Sequence, residues 1–161
     1  MKQVREFSTV EDFWKHWAFI PRPSEIFSDG QSNKKSVGGR TIDTFSMFKK
    51  GIRPEWEDTE NAKGCEISLR KTLPGDLSDL HWENLILGML GETIEDDNEI
   101  CGCRIVDKTK KGKDARPLYR FEVWMRTKDQ QVVARVKQRT AETMTDGKPK
   151  AVFDQFNHAD H

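Results

Sequence analysis

Cysteine is scarce. Three thiols in 161 residues are an odd number, which excludes a fully paired disulfide framework and suits a reducing compartment. No stretch approaches the roughly 18 consecutive apolar residues of a membrane span, and the opening MKQVREFSTVEDF lacks the apolar core of a secretion signal. Net charge is missing as well: 27 basic and 27 acidic residues cancel. That balance argues against wholesale electrostatic coating of nucleic acid but leaves room for one local basic site. Zinc-ligand spacing is absent too, because Cys101 and Cys103 form only C-x-C, which reads as two buried free thiols on one strand face. Tyrosine occurs once, yet nine Phe and five Trp supply the bulk of a core, and the length is that of one domain spanning 1–161. The expectation is a soluble, cytoplasmic protein without a membrane segment.

The ordered segments announce themselves by period. In STVEDFWKHWAFI, Ser8 and Glu11 stand at capping-box spacing, Val10, Phe13, Trp14 and Trp17 fall at i, i+3, i+4 and i+7, and Pro21 and Pro23 end the helix. Residues 24–43 turn to Ser, Asp, Gly, Asn and Lys and predict a surface loop. Cys65–Lys71 alternates, with Cys65, Ile67 and Leu69 on one face and Glu66, Ser68 and Arg70 on the other, as a half-buried strand does. After Pro74-Gly75, Asp76 is placed to cap a second helix carrying Leu77, Leu80, Leu87 and Leu90 and ending at Gly91. A strand at Ile100–Val106 and a charged loop follow. Leu118–Thr127 then puts Tyr119, Phe121, Val123 and Met125 on a core face and Arg120, Glu122, Trp124 and Arg126 on the other. Gln130–Met144 predicts a third helix, and Ala151–Phe156 a last short strand. Amphipathic strands with three separated helices predict an α+β domain, the helices packed on one face of an antiparallel sheet.

Two clusters carry candidate chemistry. Trp56-Glu57-Asp58 follows Gly51 and Pro54 and so belongs to a turn. An exposed indole there stacks on a flat heterocycle, while a neighbouring carboxylate accepts the N–H donors of its edge, as Glu57 would from guanine. The bland reading folds Trp56 inward and leaves Glu57 a solvated charge. The second cluster is Lys108, Lys110, Lys111, Lys113 and Arg116, followed by Arg120 and Trp124, a set able to hold phosphates. Its bland reading is a solvated hairpin tip. The terminal His158-Ala159-Asp160-His161 is read as ordinary sequence, with no metal and no cofactor.

In order along the chain stand TVEDFW (9–14), FSMFKKGIRPEWEDTENAKG (45–64), WENLILGMLGE (82–92), CGCRIV (101–106) and FNHAD (156–160). Together they resemble the eukaryotic translation initiation factor 4E family of mRNA cap-binding proteins. The resemblance implies a curved antiparallel sheet with three helices packed on its convex face and the 7-methylguanosine cap on its concave side. It implies that Trp56 and Trp124 contact the cap base, that Glu57 reads its edge, and that Lys108, Lys110 and Arg120 hold the phosphates. Stacking on a methylated, positively charged guanine adds cation–π attraction. Val10, Trp14 and Leu87 match the face that receives a 4G-type scaffold or a 4E-binding protein as a short amphipathic helix. The expected partners are therefore capped mRNA and that scaffold, in a binding role and not an enzymatic one. The alternative is a cap-blind 4E-like module that competes for the scaffold and represses translation.

Three departures from the family pattern stand out. The family's other stacking tryptophan lies upstream of TVEDFW, and a C-terminal loop and strand follow Asp160, so the chain is expected to lack the first strand and the tail. Glu83 and Asn84 follow Trp82 where the family has a hydrophobic residue and a glutamate, so a charge interrupts the apolar groove. Residues 24–43 form a longer segment than the family counterpart.

Overall fold

The computed structural model describes residues 3–27, 34–110, 116–147 and 156–161. In chain order they form α1 (Val10–Trp17), α2 (Pro23–Phe27), β1 (Ser36–Val37), β2 (Arg40–Thr41), β3 (Thr44–Phe48), β4 (Cys65–Thr72), α3 (Gly75–Leu90), β5 (Ile100–Asp107), β6 (Leu118–Met125), α4 (Gln130–Met144) and β7 (Asn157–Asp160). Five strands make one curved antiparallel sheet in the order β3-β5-β6-β4-β7, and β1 pairs with β2 alone. Among the described residues the helices number four where three were expected; the addition is the five-residue α2, too short to show a helical period. The segment read as loop also holds the β1–β2 hairpin, whose turn needs Gly38 and Gly39, at φ +58° and +76°, because two consecutive positive φ values exclude most side chains.

The period-two pattern of the central strands is realised as read. Ile67, Leu69, Ile105, Phe121 and Val123 are at most 1% exposed and join Trp82, Leu85, Ile86, Val133 and Val136 of α3 and α4 in a single core. The opposite face carries Glu66, Ser68, Arg104, Arg120, Glu122 and Trp124, matched across the strands as Arg104↔Glu122↔Ser68 and Gly102↔Trp124↔Glu66.

Local details differ from the expectations. Thr9, not Ser8, caps α1: its backbone is extended and its hydroxyl accepts from the Asp12 N–H at 3.2 Å. Pro74 stands at the start of α3 with no side-chain cap, and Asp76 lies inside the helix. The leucines that suggested α3 are not the residues it buries; Trp82, Leu85 and Ile86 face the core, whereas Leu80 and Leu90 are exposed. Cys101 and Cys103 do not share one environment. A bulge between Ile100 and Gly102 breaks the alternation, leaving Cys103 in the core and the Cys101 thiol facing the Glu60 carbonyl at 3.6 Å. All three thiols are buried and free, and burial raises the Cys65 pKa to about 11. Of the last strand expected at 151–156, residues 151–155 lie outside the described set; the observed strand, β7, starts at Asn157.

Gly102 marks a close approach of β5 to β3. A Cβ there would lie 2.4 Å from Cγ of Phe48 and 2.6 Å from the Met47 carbonyl oxygen. Gly102→Ala should destabilise the chain by roughly 2 kcal/mol, a fall in melting temperature of about 4–8 °C. Scanning calorimetry that found no change would show that Phe48 is not held against this backbone.

Candidate functional site

The turn between β3 and β4 is closed by two side chains. The Asp58 carboxylate accepts the Arg53 N–H at 2.9 Å and the Glu60 N–H at 3.1 Å, and these backbone donors hold its pKa below the usual carboxylate value. Asn61 donates its amide to the carbonyls of Arg53 and Glu55 at 2.8 and 2.9 Å. With both polar groups turned inward, Trp56 is thrown outward and stays 48% exposed. Glu57 beside it is exposed and makes no hydrogen bond or ion pair among the described residues. The inward-folded reading of Trp56 is thereby removed, and Asp58 is a structural member of the trio.

Behind Trp56 lies a cluster of rings. Trp124 meets Trp56 edge-on at 5.6 Å between centroids and Phe48 edge-on at 5.5 Å, and the Arg104 guanidinium stands 5.1 Å from its ring centre. The fourth ring is His161, 4.5 Å from Trp56 and 4.7 Å from Trp124. Its Nδ1 lies 3.0 Å from the Asn61 carbonyl, a contact that requires the proton on Nδ1, and its Nε2 is buried without a hydrogen-bond partner among the described residues. Trp124 is fully buried, with its indole N–H donated to Glu122 at 3.0 Å. A base resting on Trp56 therefore finds an open indole, whereas one touching Trp124 must first move a ring.

Next to the rings runs an alternating chain of charges. Glu122 forms ion pairs with Arg104 and Arg120, each at 3.2 Å, and Arg120 also contacts Glu66. Both carboxylates are buried, with side chains 2% exposed. Burial, followed by the neighbouring Glu122 charge, raises the Glu66 pKa against the opposing pull of Arg120. Arg120 is thus already shared between two carboxylates. Lys108 and Lys110 are exposed and make no ion pair among the described residues, so their charges stay available. Lys111 and Lys113 lie outside the described residues.

On the helical side, Val10 is 65% and Trp14 46% exposed, while Phe13 of the same helix is buried. Leu87 is half-buried on α3. These three candidates belong to the face opposite the rings. Sequence reading missed His161, Phe48, Arg104, Glu66 and Glu122. The polar face of each alternating strand was a visible signal for the charges, but a lone histidine 100 residues from its partner Asn61 gives no local one.

A curved antiparallel sheet that buries its helix-covered side, with an open indole, a free carboxylate and cations elsewhere on its surface, defines an α+β domain with a candidate binding site. The family model for Eukaryotic initiation factor 4E matches residues 1–161, and the chain belongs to that family. It is 36% identical over 113 residues to Eukaryotic translation initiation factor 4E1 of Drosophila melanogaster, covering 69% of this chain and 38% of the fly protein. It is 31% identical over 137 residues to Eukaryotic translation initiation factor 4E of Saccharomyces cerevisiae, covering 84% of this chain and 55% of the yeast protein. The chain thus spans about half or less of the length of these relatives. Among solved structures, the complex of Ascaris suum eIF4E-3 with m7G cap matches with a TM-score of 0.74 and 26% identity, over 99% of this chain and 78% of that one. The Schistosome eIF4E complexed with m7GpppG and 4E-BP matches with a TM-score of 0.68 and 25% identity, over 89% and 70%.

The ring cluster carries a pH signature. Burial disfavours the His161 imidazolium, so its folded pKa lies below 6.5. Between that lowered value and about 6.5 the unfolded chain binds more protons than the folded one, and stability rises with pH. The contribution of the cluster is complete above this window and is lost as pH falls through it. His161→Phe keeps a ring and removes the titration, so its melting temperature should fall less than that of the wild type between pH 7.5 and 5.5. Equal falls would mean that His161 is not buried against the indoles.

Proposed function

We propose that the chain binds the 7-methylguanosine cap of mRNA on its concave face and an amphipathic helix of a 4G-type scaffold or 4E-binding protein on its helical face, and so acts in translation initiation in the cytoplasm. The observation that carries this reading is the half-exposed indole of Trp56 with the unpaired carboxylate of Glu57 at its side. Methylated guanine is a flat cation with two N–H donors on one edge. The indole offers it stacking and cation–π attraction, and Glu57 offers paired acceptors together with a compensating charge. Lys108 and Lys110 hold the phosphates, with Arg120 as a shared third cation. Trp124 backs Trp56 edge-on and meets the base when His161 swings aside. Cap-bound relatives of the same fold support the reading.

Val10, Trp14 and Leu87 form the scaffold face, its apolar side chains left in water at a cost that a partner helix removes. The role is one of binding, in which Glu57 accepts hydrogen bonds and transfers no proton. No described helix is long and apolar enough to cross a membrane. A cap-blind competitor is the less favoured reading, because Trp56 and Glu57 are open to solvent and free.

Tryptophan fluorescence should be quenched by 7-methyl-GTP much more strongly than by GTP. Trp56→Ala should weaken the methylated ligand by about 5- to 150-fold, the range of one stacking contact. Glu57→Gln should weaken it by at least tenfold, while Trp14→Ala should leave it unchanged. Equal quenching by the two nucleotides, or full affinity in Trp56→Ala, would remove the cap assignment.

A further inference from the structure

The outward stripes of α1 and α3 form one surface with a charge at its centre. On α1, Val10, Trp14 and Trp17 follow at i, i+4 and i+7; on α3, Leu80, Glu83, Leu87 and Leu90 follow at i, i+3, i+7 and i+10. Leu80 is 50% exposed, comparable to Trp14, so apolar surface flanks Glu83 along α3. The Trp17 indole N–H donates to Glu83 Oε1 at 3.4 Å and ties the two stripes together at the carboxylate. The other carboxylate oxygen of Glu83 has no partner among the described residues. The patch adjoins a cleft of about 320 Å³ lined by Trp17, Ile20 and Trp82 together with Arg22, Glu25, Asp79 and Glu83; Asp79 is buried and accepts from Ser24, and Glu25 accepts the Arg22 N–H.

We propose that this surface selects a partner helix whose apolar face carries one Arg or Lys opposite Glu83. The inference rests on the helix-docking reading above and adds the chemistry of the partner. An all-apolar helix laid across Val10, Trp14, Leu80 and Leu87 would strip water from Glu83 and leave a carboxylate satisfied only by one long indole bond. Burying an unpaired charge in this way is strongly unfavourable, whereas a guanidinium or ammonium reaching the free oxygen compensates it. The excess of carboxylates along the cleft favours the same sign of partner charge. Glu83 therefore converts a general apolar groove into a selective one by penalising helices that lack the cation.

The test is a selection from a display library of helical peptides with a randomised face, using the full chain as bait, the wild type in parallel with Glu83→Gln and Glu83→Leu. Glu83→Gln retains the Trp17 bond and the shape while removing the charge. Peptides enriched by the wild type should carry Arg or Lys at the centre of an apolar face. Exchanging that residue for Met should weaken binding to the wild type at least tenfold in an anisotropy titration, and to Glu83→Leu hardly at all. Enriched peptides that lose binding in Trp14→Ala but carry no central cation, or an equal Arg-to-Met loss in both proteins, would overturn the selectivity while leaving helix docking intact. Absence of any Trp14-dependent peptide would overturn helix docking and this inference with it. The 7-methyl-GTP titration is independent of all these outcomes.

Discussion

The register of β6 governs the rest of the structure. This strand lies at the middle of the sheet and pairs with β5 and β4 along its whole length. A slip of one residue would drive Arg120 and Glu122 into the helix-covered core and expel Tyr119, Phe121 and Val123 into the groove. Because the core face is fully apolar, that alternative is excluded by several buried side chains at once. The correct register sets Trp124 opposite Gly102 and Glu66, and Arg104 opposite Glu122, so the rings and the charges of the concave face are consequences of the same constraint.

The face opposite the helices uses its polar groups to hold itself together. Glu66 and Glu122 are buried carboxylates held by Arg104 and Arg120, an arrangement in which losing one partner leaves an uncompensated buried charge. Under the cap-binding proposal, a phosphate at Arg120 would compete with both carboxylates, and Lys108 and Lys110 would carry more of the phosphate binding. The rings show a similar economy. Arg104, Phe48 and His161 pack around Trp124 and leave the Trp56 indole half exposed. The turn that presents Trp56 is anchored through Asn61, whose carbonyl also holds His161, so the turn and the imidazole share one anchor.

Much of this was legible from the chain alone, for reasons that lie in particular residues. Strands β4 and β6 alternate in sequence, and α4 carries Val133, Val136 and Met144 at helical spacing. Gly51 and Pro54 signalled the turn that exposes Trp56. What stayed hidden had no local signature. All five residues of the edge strand β3 are half-buried, so no alternation marks it. The five-residue α2 has too few turns for a period. Thr9 outcompeted Ser8 as a cap through backbone geometry that composition does not encode. The polar faces of β4 and β6 were read as the second sides of half-buried strands, with Arg120 a phosphate candidate; in the fold Glu66 and Glu122 are buried and paired with Arg104 and Arg120 in a network. The bulge at Cys101 needed the pairing with β6 before it could be seen.

The most direct test of the account follows the five indole N–H signals in a proton–nitrogen correlation spectrum, assigned by single Trp→Phe replacements, as 7-methyl-GTP is added. The account predicts large shifts at Trp56 and Trp124, the latter as His161 leaves its ring, with Trp14 and Trp17 unmoved and GTP giving far smaller changes. Shifts centred on Trp14 and Trp17, or a spectrum indifferent to the methyl group, would contradict it.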